Sequence, residues 1–432
     1  MIPAISSCRI SSPDAPVRWF AFPILLLTLV LAGPVVAEVG REPPPAVASP
    51  AVPTRDRAAL NQRVFDRVWS EVRHRYYDPT IHGLDWNEAR RLYRPQALAA
   101  TDDRRLYLVL DRMLDLLDDD HAGAAPPAMA RRQDAQHQRR PIMGVTLYPE
   151  DDGRYRVDRV RPGSPAEEAG IEVGWRLDGT DDSGWTPDRD VVAGEAIVLR
   201  LTDRDGQPRD VTVVPREMDP LPTFVADRSH PDVLILRIES FEAGLGRWMG
   251  AQLAGLPSDT EIVLDLRDNP GGLLMEADAV LSCFLPERMP WATRTNRSGR
   301  PSVLRVQAAC GDLESPAPNP LAVLVDGSSR SAAELTPAAL QEAGRAIVVG
   351  EKTAGAVLIS QDTVLPDGGR LTLSRADFVT AGGVRLEKRG VDPDLWIAGM
   401  AGPSGIDDQA LSAAITALRN QVVDAGARPD IN

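Results

Sequence analysis

A serine at the start of a predicted helix has the setting that nucleophilic chemistry needs. Ser331 stands in the stretch Gly327-Ser-Ser-Arg-Ser-Ala-Ala-Glu334, directly before an apolar helical pattern. Ser331 and Glu334 have the spacing of a capping box, in which the two side chains only terminate the helix. The same position also puts a hydroxyl beside helix N-terminal N–H groups, which would stabilise the oxyanion of acyl transfer. The motif therefore fits a structural cap or a nucleophile.

A glycine pair follows a buried strand pattern earlier in the chain. Ile262-Val-Leu-Asp-Leu-Arg-Asp-Asn-Pro-Gly-Gly272 predicts a strand that ends in a tight turn. Glycine lets backbone N–H groups point outward without side-chain shielding, so the turn could bind an anion. A strand followed by Gly-Gly is also common as a purely structural turn.

A third motif resembles the PDZ domain of bacterial proteases. Gly163-Ser-Pro-Ala-Glu-Glu-Ala-Gly-Ile-Glu-Val-Gly174 follows a strand pattern that begins at Met143-Gly144-Val145. The resemblance implies that backbone N–H groups at Met143, Gly144 and Val145 capture a peptide's terminal carboxylate while the peptide pairs with the sheet edge. The alternative is a degenerate module that only packs against the rest of the chain, because a polar segment, residues 178–190, replaces the usual short connection.

Four stretches in a fixed order carry a wider resemblance: LDLRDNPGG, PLAVLVDGSSRSAAE, GRAIVVGEKTAG and GVDPD. They resemble the C-terminal processing and tricorn-core family of serine peptidases, over most of residues 55 to 400. The resemblance implies that Ser331 is the nucleophile and that the backbone N–H groups of Gly272 and Ala332 form the oxyanion hole. It also implies a multidomain α+β fold with an N-terminal helical domain, a PDZ-like β domain and an α/β, crotonase-like peptidase core.

The chain departs from the better-known branch of that family at the general base. That branch uses a lysine in a Thr-Phe-Gly-Lys-Gly stretch, whereas the matching residues here are Thr353-Ala-Gly-Ala356-Val357. Alanine excludes a Ser–Lys dyad at this position. Lys352 lies nearby but matches a variable site of the family, so we do not expect it to be the base.

A second branch, similar to the tricorn core, uses Ser–His–Glu, and the chain has residues at the matching positions. Asp120-His121 closes the predicted helical domain, and Glu387 precedes Gly390-Val-Asp-Pro-Asp394. By this resemblance His121 takes the proton from Ser331, and Glu387 orients the imidazole. The alternatives are a charge partner at a helix C-terminus for His121 and a solvated residue in a charged run for Glu387.

The elements that must position these residues fall into three regions. Apolar residues at spacings of three and four predict helices between Arg55 and about Leu117, and short alternating strands fill Ile142 to Arg216. From Asp232 strands, among them Val233 to Ile238 and Leu321 to Val325, alternate with helices such as Ala332 to Ala343, which is typical of an α/β domain. The predicted domains are a signal peptide at 1–37, a Pro-rich linker at 38–54, the helical domain at 55–130, the PDZ-like domain at 141–216, the peptidase core at 221–400 and a helical tail at 401–432.

Composition and the N-terminal sequence limit which partners and which cellular compartment we expect. A net charge of -14 without a basic run argues against nucleic acid as the main partner. The family resemblance, not the charge, implies protein or peptide substrates. Arginines, a short apolar run and Gly33-Pro-Val-Val-Ala37 predict a signal peptide that is removed, rather than a permanent membrane anchor. We therefore expect no stable membrane span afterwards and a periplasmic or extracellular location. Cys283 and Cys310 could then pair or stay as separate buried thiols. The five histidines and three cysteines have no metal-ligand spacing, and we expect no cofactor.

Overall fold

The computed structural model describes residues 54–135, 138–149, 154–180, 190–397 and 408–426. The predicted signal peptide lies outside these residues, as do nearly all of the Pro-rich linker and most of the polar segment 178–190. None of the helices in the described ranges combines the length and the hydropathy that a bilayer-spanning segment needs.

The first region is helical, as predicted. Side chains of Thr54, Asp85 and Asp102 cap its three long helices. Its hydrophobic cluster includes Leu371 and Leu373, which belong to a strand far along the chain, so the helices pack directly onto the later sheet. The elements are α1 (Arg55–Arg75), α2 (Trp86–Ala99), α3 (Asp103–Leu114), β1 (Gly123–Ala125) and α4 (Pro127–Asp134), with 3-10 turns at Ile81–Gly83 and Asp115–Leu117.

The second region is an antiparallel sheet with its own small core. Five strands pair in chain order, and a short helix capped by Ser164 covers the sheet. The short strands predicted for this region are present. The elements are β2 (Arg140–Ile142), which pairs with β8 (Arg216–Met218), and β3 (Val145–Pro149), β4 (Tyr155–Val160), α5 (Pro165–Glu168), β5 (Arg176–Thr180), β6 (Ile197–Thr202) and β7 (Pro208–Val213).

The third region is a six-stranded sheet between two layers of helices. Its strand order is β18-β15-β14-β11-β10-β9, parallel except for β9. Helices α6, α7 and α8 share a hydrophobic cluster with one face, and α9 packs on the other. The bounds are β9 (Phe224–Asp227), β10 (Val233–Ile238), α6 (Leu245–Leu253), β11 (Glu261–Asp265), α7 (Leu274–Ser282), β14 (Leu321–Val325), α8 (Ala332–Glu342), β15 (Ile347–Gly350), β18 (Leu395–Trp396) and α9 (Gln409–Gly426).

A second sheet, which the sequence patterns did not predict, joins the helical region to the α/β region. It consists of β1, β12 (Pro290–Asn296), β13 (Pro301–Arg305), β16 (Ile359–Val364) and β17 (Arg370–Thr380), and β1 pairs antiparallel with β17. The pairing brings the segment that follows α3 next to the segments that follow β15. The two cysteines form a Cys283–Cys310 disulfide beside α7.

Candidate active site

Ser331 occupies a strained turn between β14 and α8. It is the residue before the helix, with φ 53° and ψ −117°, a conformation that costs energy for a residue with a Cβ. Its backbone N–H points to the Ala356 carbonyl at 2.8 Å and to Oε2 of Glu334 at 3.2 Å. The surrounding contacts therefore fix the backbone that carries the hydroxyl.

The glycine turn after β11 packs directly against this serine. A Cβ built on Gly271 would lie 2.7 Å from Cβ of Ser331 and 3.1 Å from the backbone nitrogen of Ala332, so only glycine allows this approach. Asn269 holds the turn, since its amide donates to Ile238 O and its Oδ1 accepts from Gly271 N. Within the described residues, the N–H groups of Gly272 and Ala332 donate no hydrogen bond. Both are thus free to bind a substrate oxygen.

Glu334 links the serine to the loop that replaces the family's lysine. Its buried carboxylate accepts hydrogen bonds from Ser331 N, from Thr353 Oγ1, from Gly355 N at 2.7 Å and from Ala356 N at 2.8 Å. Burial raises the pKa of Glu334 despite these donors. The capping contact predicted from sequence is present, but the same carboxylate also organises residues 353–356.

Neither Ala356 nor Lys352 offers a base at the usual place. Ala356 is 2% exposed and carries no titratable group. Nζ of Lys352 lies 2.9 Å from Oδ1 of Asp392 at the surface.

His121 follows the 3-10 turn that ends α3 and precedes β1. Its backbone N–H donates to Oδ1 of Asp119 at 2.9 Å, and its Nδ1 is buried without a hydrogen-bond partner among the described residues. Burial lowers the pKa of His121. The carboxylate of Asp119 opposes that shift, and the positive charges of Arg330 and Lys388 add to it. Arg330 is the residue directly before Ser331.

Glu387 is buried, not solvated, at 6% exposure. Its Oε2 accepts from Val357 N at 2.9 Å, and its Oε1 has no partner within the described part of the chain. Burial raises the pKa of Glu387, and the charge of Asp119 raises it further. Lys388 pairs with Asp118 and Asp120, so the segments that carry Glu387 and His121 are joined.

No hydrogen bond directly joins the side chains of Ser331, His121 and Glu387 in the described ranges. Asp119 is the carboxylate that most strongly affects the pKa of His121. Sequence reasoning missed Asp119, because it is one of three consecutive aspartates and only folding makes it the buried one. Asn269 was also missed, although its place next to Pro-Gly-Gly was a usable signal.

The residues predicted to bind a peptide terminus line a large cleft. Met143, Gly144 and Val145 lie on a cavity of about 1500 Å³ that also reaches Asp326 and Ser328, just before Ser331. The carbonyls of Met143 and Gly144 accept hydrogen bonds from Ala166 N and Arg161 N. The edge of β3 away from β4 pairs with no strand in the described ranges.

Comparisons with known proteins agree with this architecture. Residues 232–397 match peptidase family S41, and residues 58–115 match the tricorn protease C1 domain. A carboxyl-terminal-processing protease of Picosynechococcus sp. is 30% identical over 357 residues, which cover 77% of this chain and 82% of the relative.

Solved structures show the same fold at lower identity. The photosystem II D1 C-terminal processing protease superposes with a TM-score of 0.56 at 21% identity, over 82% of this chain and 96% of that one. Tricorn protease superposes with a TM-score of 0.50 at 18% identity, over 84% of this chain and 37% of that one. Together with the extended match to the processing protease, these findings show that the chain belongs to peptidase family S41, whose carboxyl-terminal-processing proteases are serine peptidases.

Proposed function

We propose that the chain is an exported serine endopeptidase that cleaves peptide bonds through an acyl-enzyme on Ser331. The observation that carries the proposal is the position of Ser331 at the N-terminus of α8, packed against Gly271 of the glycine turn. The N–H groups of Gly272, in that turn, and of Ala332 donate no hydrogen bond within the described residues. Such N–H groups stabilise the negative charge that develops on a carbonyl oxygen under attack.

His121 is the general base. It takes the hydroxyl proton while Oγ of Ser331 bonds to the carbonyl carbon, and it returns that proton to the leaving amine when the C–N bond breaks. Water then loses a proton to His121 and attacks the ester, which releases the acid and restores the serine. A lowered pKa keeps the imidazole neutral, and therefore able to accept a proton, near neutral pH.

Glu387 orients and stabilises the imidazolium, and Asp119 contributes a second carboxylate. Nδ1 of His121, Oε1 of Glu387 and Oδ2 of Asp119 are all buried and unpaired within the described part of the chain. Buried polar atoms without partners are costly, so a small movement on substrate binding that pairs them would be favourable. This arrangement supports the Ser–His–Glu branch of the family.

The remaining parts of the proposal concern domains and compartment. The five-stranded sheet with α5 supports a PDZ-like module at residues 141–216, and the sheet between two helical layers supports a crotonase-like core. The Cys283–Cys310 disulfide supports an oxidising compartment, because such bonds are rare in reducing ones. The predicted signal peptide agrees with export.

The test is reaction with a serine-directed fluorophosphonate, followed by intact-protein mass spectrometry. Wild-type protein should gain one adduct, and Ser331→Ala should gain none. Equal labelling of both proteins would overturn the assignment of Ser331. His121→Ala should lower kcat for peptide hydrolysis by about 10³-fold or more, and unchanged hydrolysis would remove His121 from the mechanism.

A catalytically inactive scaffold that binds peptides through the PDZ-like module is the second candidate. It is favoured by Ala356 at the usual base position and by the lack of a direct hydrogen bond between the described side chains of Ser331 and His121. Peptide binding by wild-type protein without any fluorophosphonate adduct would favour the scaffold.

A further inference from the structure

The cleft beside β3 is basic although the chain as a whole is acidic. Among its described lining residues are eight arginines and five carboxylic acids, whereas the chain carries 48 basic and 62 acidic residues. A cleft with an excess of one sign of charge attracts and orients ligands of the opposite sign. The charge of this cleft therefore bears on which substrates enter it.

The arginines are concentrated in one part of the lining. The segments on either side of β3 in the chain, which are α4, β2 and β4 with the residue after it, contribute Arg131, Arg132, Arg140, Arg156, Arg159 and Arg161. The charged lining residues from the α/β region are the carboxylates of Glu239, Asp268, Asp326 and Glu351 together with Arg237. The basic residues thus flank β3, whose edge away from β4 pairs with no strand in the described ranges.

Several of these arginines have no internal carboxylate to neutralise them. Arg131 and Arg140 make no ion pair within the described ranges, and the guanidinium of Arg161 donates to the carbonyl of Asp219 rather than to an acid. By contrast, Arg132 lies 3.3 Å from Asp190, and Arg159 lies 3.9 Å from Glu239. The uncompensated charge therefore lies at α4 and β2, next to Met143 and Gly144.

We infer that the cleft selects peptide segments that carry aspartate or glutamate just before their C-terminus. Backbone groups at the edge of β3 would pair with the extended peptide, and the guanidinium groups of Arg131 and Arg140 would bind its acidic side chains in a bidentate manner. Apolar lining residues, Ile142, Val145 and Val160, leave room for aliphatic side chains between the acids. The inference rests on the proposed peptidase function and names the substrate class of that same site.

The experiment measures binding in the Ser331→Ala background, so that no peptide is cleaved. A fluorescein-labelled peptide of about ten residues, with two glutamates near an apolar C-terminus, is compared with its glutamine isostere by anisotropy at low salt. We expect the glutamate peptide to bind about tenfold more tightly, and the double variant Arg131→Gln/Arg140→Gln to reduce that preference about three- to tenfold.

Controls separate this result from general effects of charge. Arg104→Gln removes one exposed arginine from α3 and should leave the preference unchanged. Arg131→Lys/Arg140→Lys keeps the charge but not the bidentate geometry, so it should retain more of the preference than the double glutamine variant. Denaturant unfolding of both double variants should match that of the Ser331→Ala background, which excludes misfolding. Equal binding of the two peptides, or a preference that survives in the double glutamine variant, would overturn the inference. Because binding needs no catalysis, failure of the fluorophosphonate test would leave this measurement intact.

Discussion

Nζ of Lys388 lies 3.1 Å from Oδ2 of Asp120 and 3.4 Å from Oδ1 of Asp118. The contact joins the segment that carries Glu387 to the segment that carries His121, although the two are far apart in sequence. These ion pairs of Lys388 are partly exposed, so their direct contribution to stability is only about 0.2–1 kcal/mol. Lys388 also acts at a distance: burial is the main cause of the lowered pKa of His121, and the positive charge of Lys388 lowers that pKa further.

Lys388→Gln should therefore shift the acid limb of the pH profile of kcat/KM to higher pH. Removing a positive charge raises the pKa of His121, and a larger share of the imidazole is then protonated and inactive at a given pH. Lys352→Gln is the matched control, since Lys352 pairs with Asp392 at the surface. Identical acid limbs in the wild type and Lys388→Gln would contradict the electrostatic link.

The wild-type enzyme should retain activity below pH 6.5. Burial lowers the pKa of His121, so the neutral form that accepts the proton persists to lower pH than for an ordinary histidine. Asp119→Asn should shift the acid limb further down, because the carboxylate of Asp119 raises this pKa. Asp115→Asn, on the neighbouring turn, serves as the control. An upward shift of the acid limb in Asp119→Asn would contradict the predicted direction of the effect of Asp119 on the pKa of His121.

Glu387→Gln should lower kcat by about 10²-fold or more with little change in KM, because the imidazolium loses the carboxylate that orients it. Initial rates across a range of peptide concentrations measure the two constants. Unfolding in denaturant should show that the variant remains folded. A higher KM with an unchanged kcat would assign Glu387 to substrate binding instead.

Glu334→Gln should destabilise the fold and lower activity together. The carboxylate serves three backbone N–H groups and one hydroxyl, and an amide NH₂ cannot accept from them. We expect the free energy of unfolding to fall by about 2–4 kcal/mol. Glu342→Gln, later on the same helix, removes a carboxylate whose partners among the described residues are only Thr380 and Gly382, so it should reduce the free energy of unfolding less. Equal losses of unfolding free energy in the two variants, measured by denaturant unfolding, would contradict the larger structural role assigned to Glu334.

Reduction of the disulfide should destabilise the protein by about 2–4 kcal/mol, because it releases a loop in the unfolded chain. Cys283 and Cys310 are 27 positions apart and both are buried. Denaturant midpoints with and without reductant measure the effect, and Cys283→Ala/Cys310→Ala should not respond to reductant. A wild-type midpoint that is insensitive to reductant would show that the bond does not contribute.

The sequence by itself determined the elements and motifs that depend on neighbouring residues. Strands β10 and β14 were predicted with their observed bounds, and α8 with nearly its observed end, because apolar period and caps are local properties. Ser331 and the replacement of the usual lysine by Ala356 are likewise visible in the sequence. The roles of Ser331, His121 and Glu387 remain predictions.

Only the tertiary structure decided which distant residues share a site. The pairing of β1 with β17 brings the segment directly after His121 next to a strand far along the chain. Asp119 is buried, whereas its neighbours Asp118 and Asp120 are exposed. The sequence likewise left open whether the two cysteines pair and whether Glu387, in a charged run, is buried. Each depends on contacts between residues far apart in the chain, whose energies are set by packing and desolvation and leave no periodic signal in the sequence.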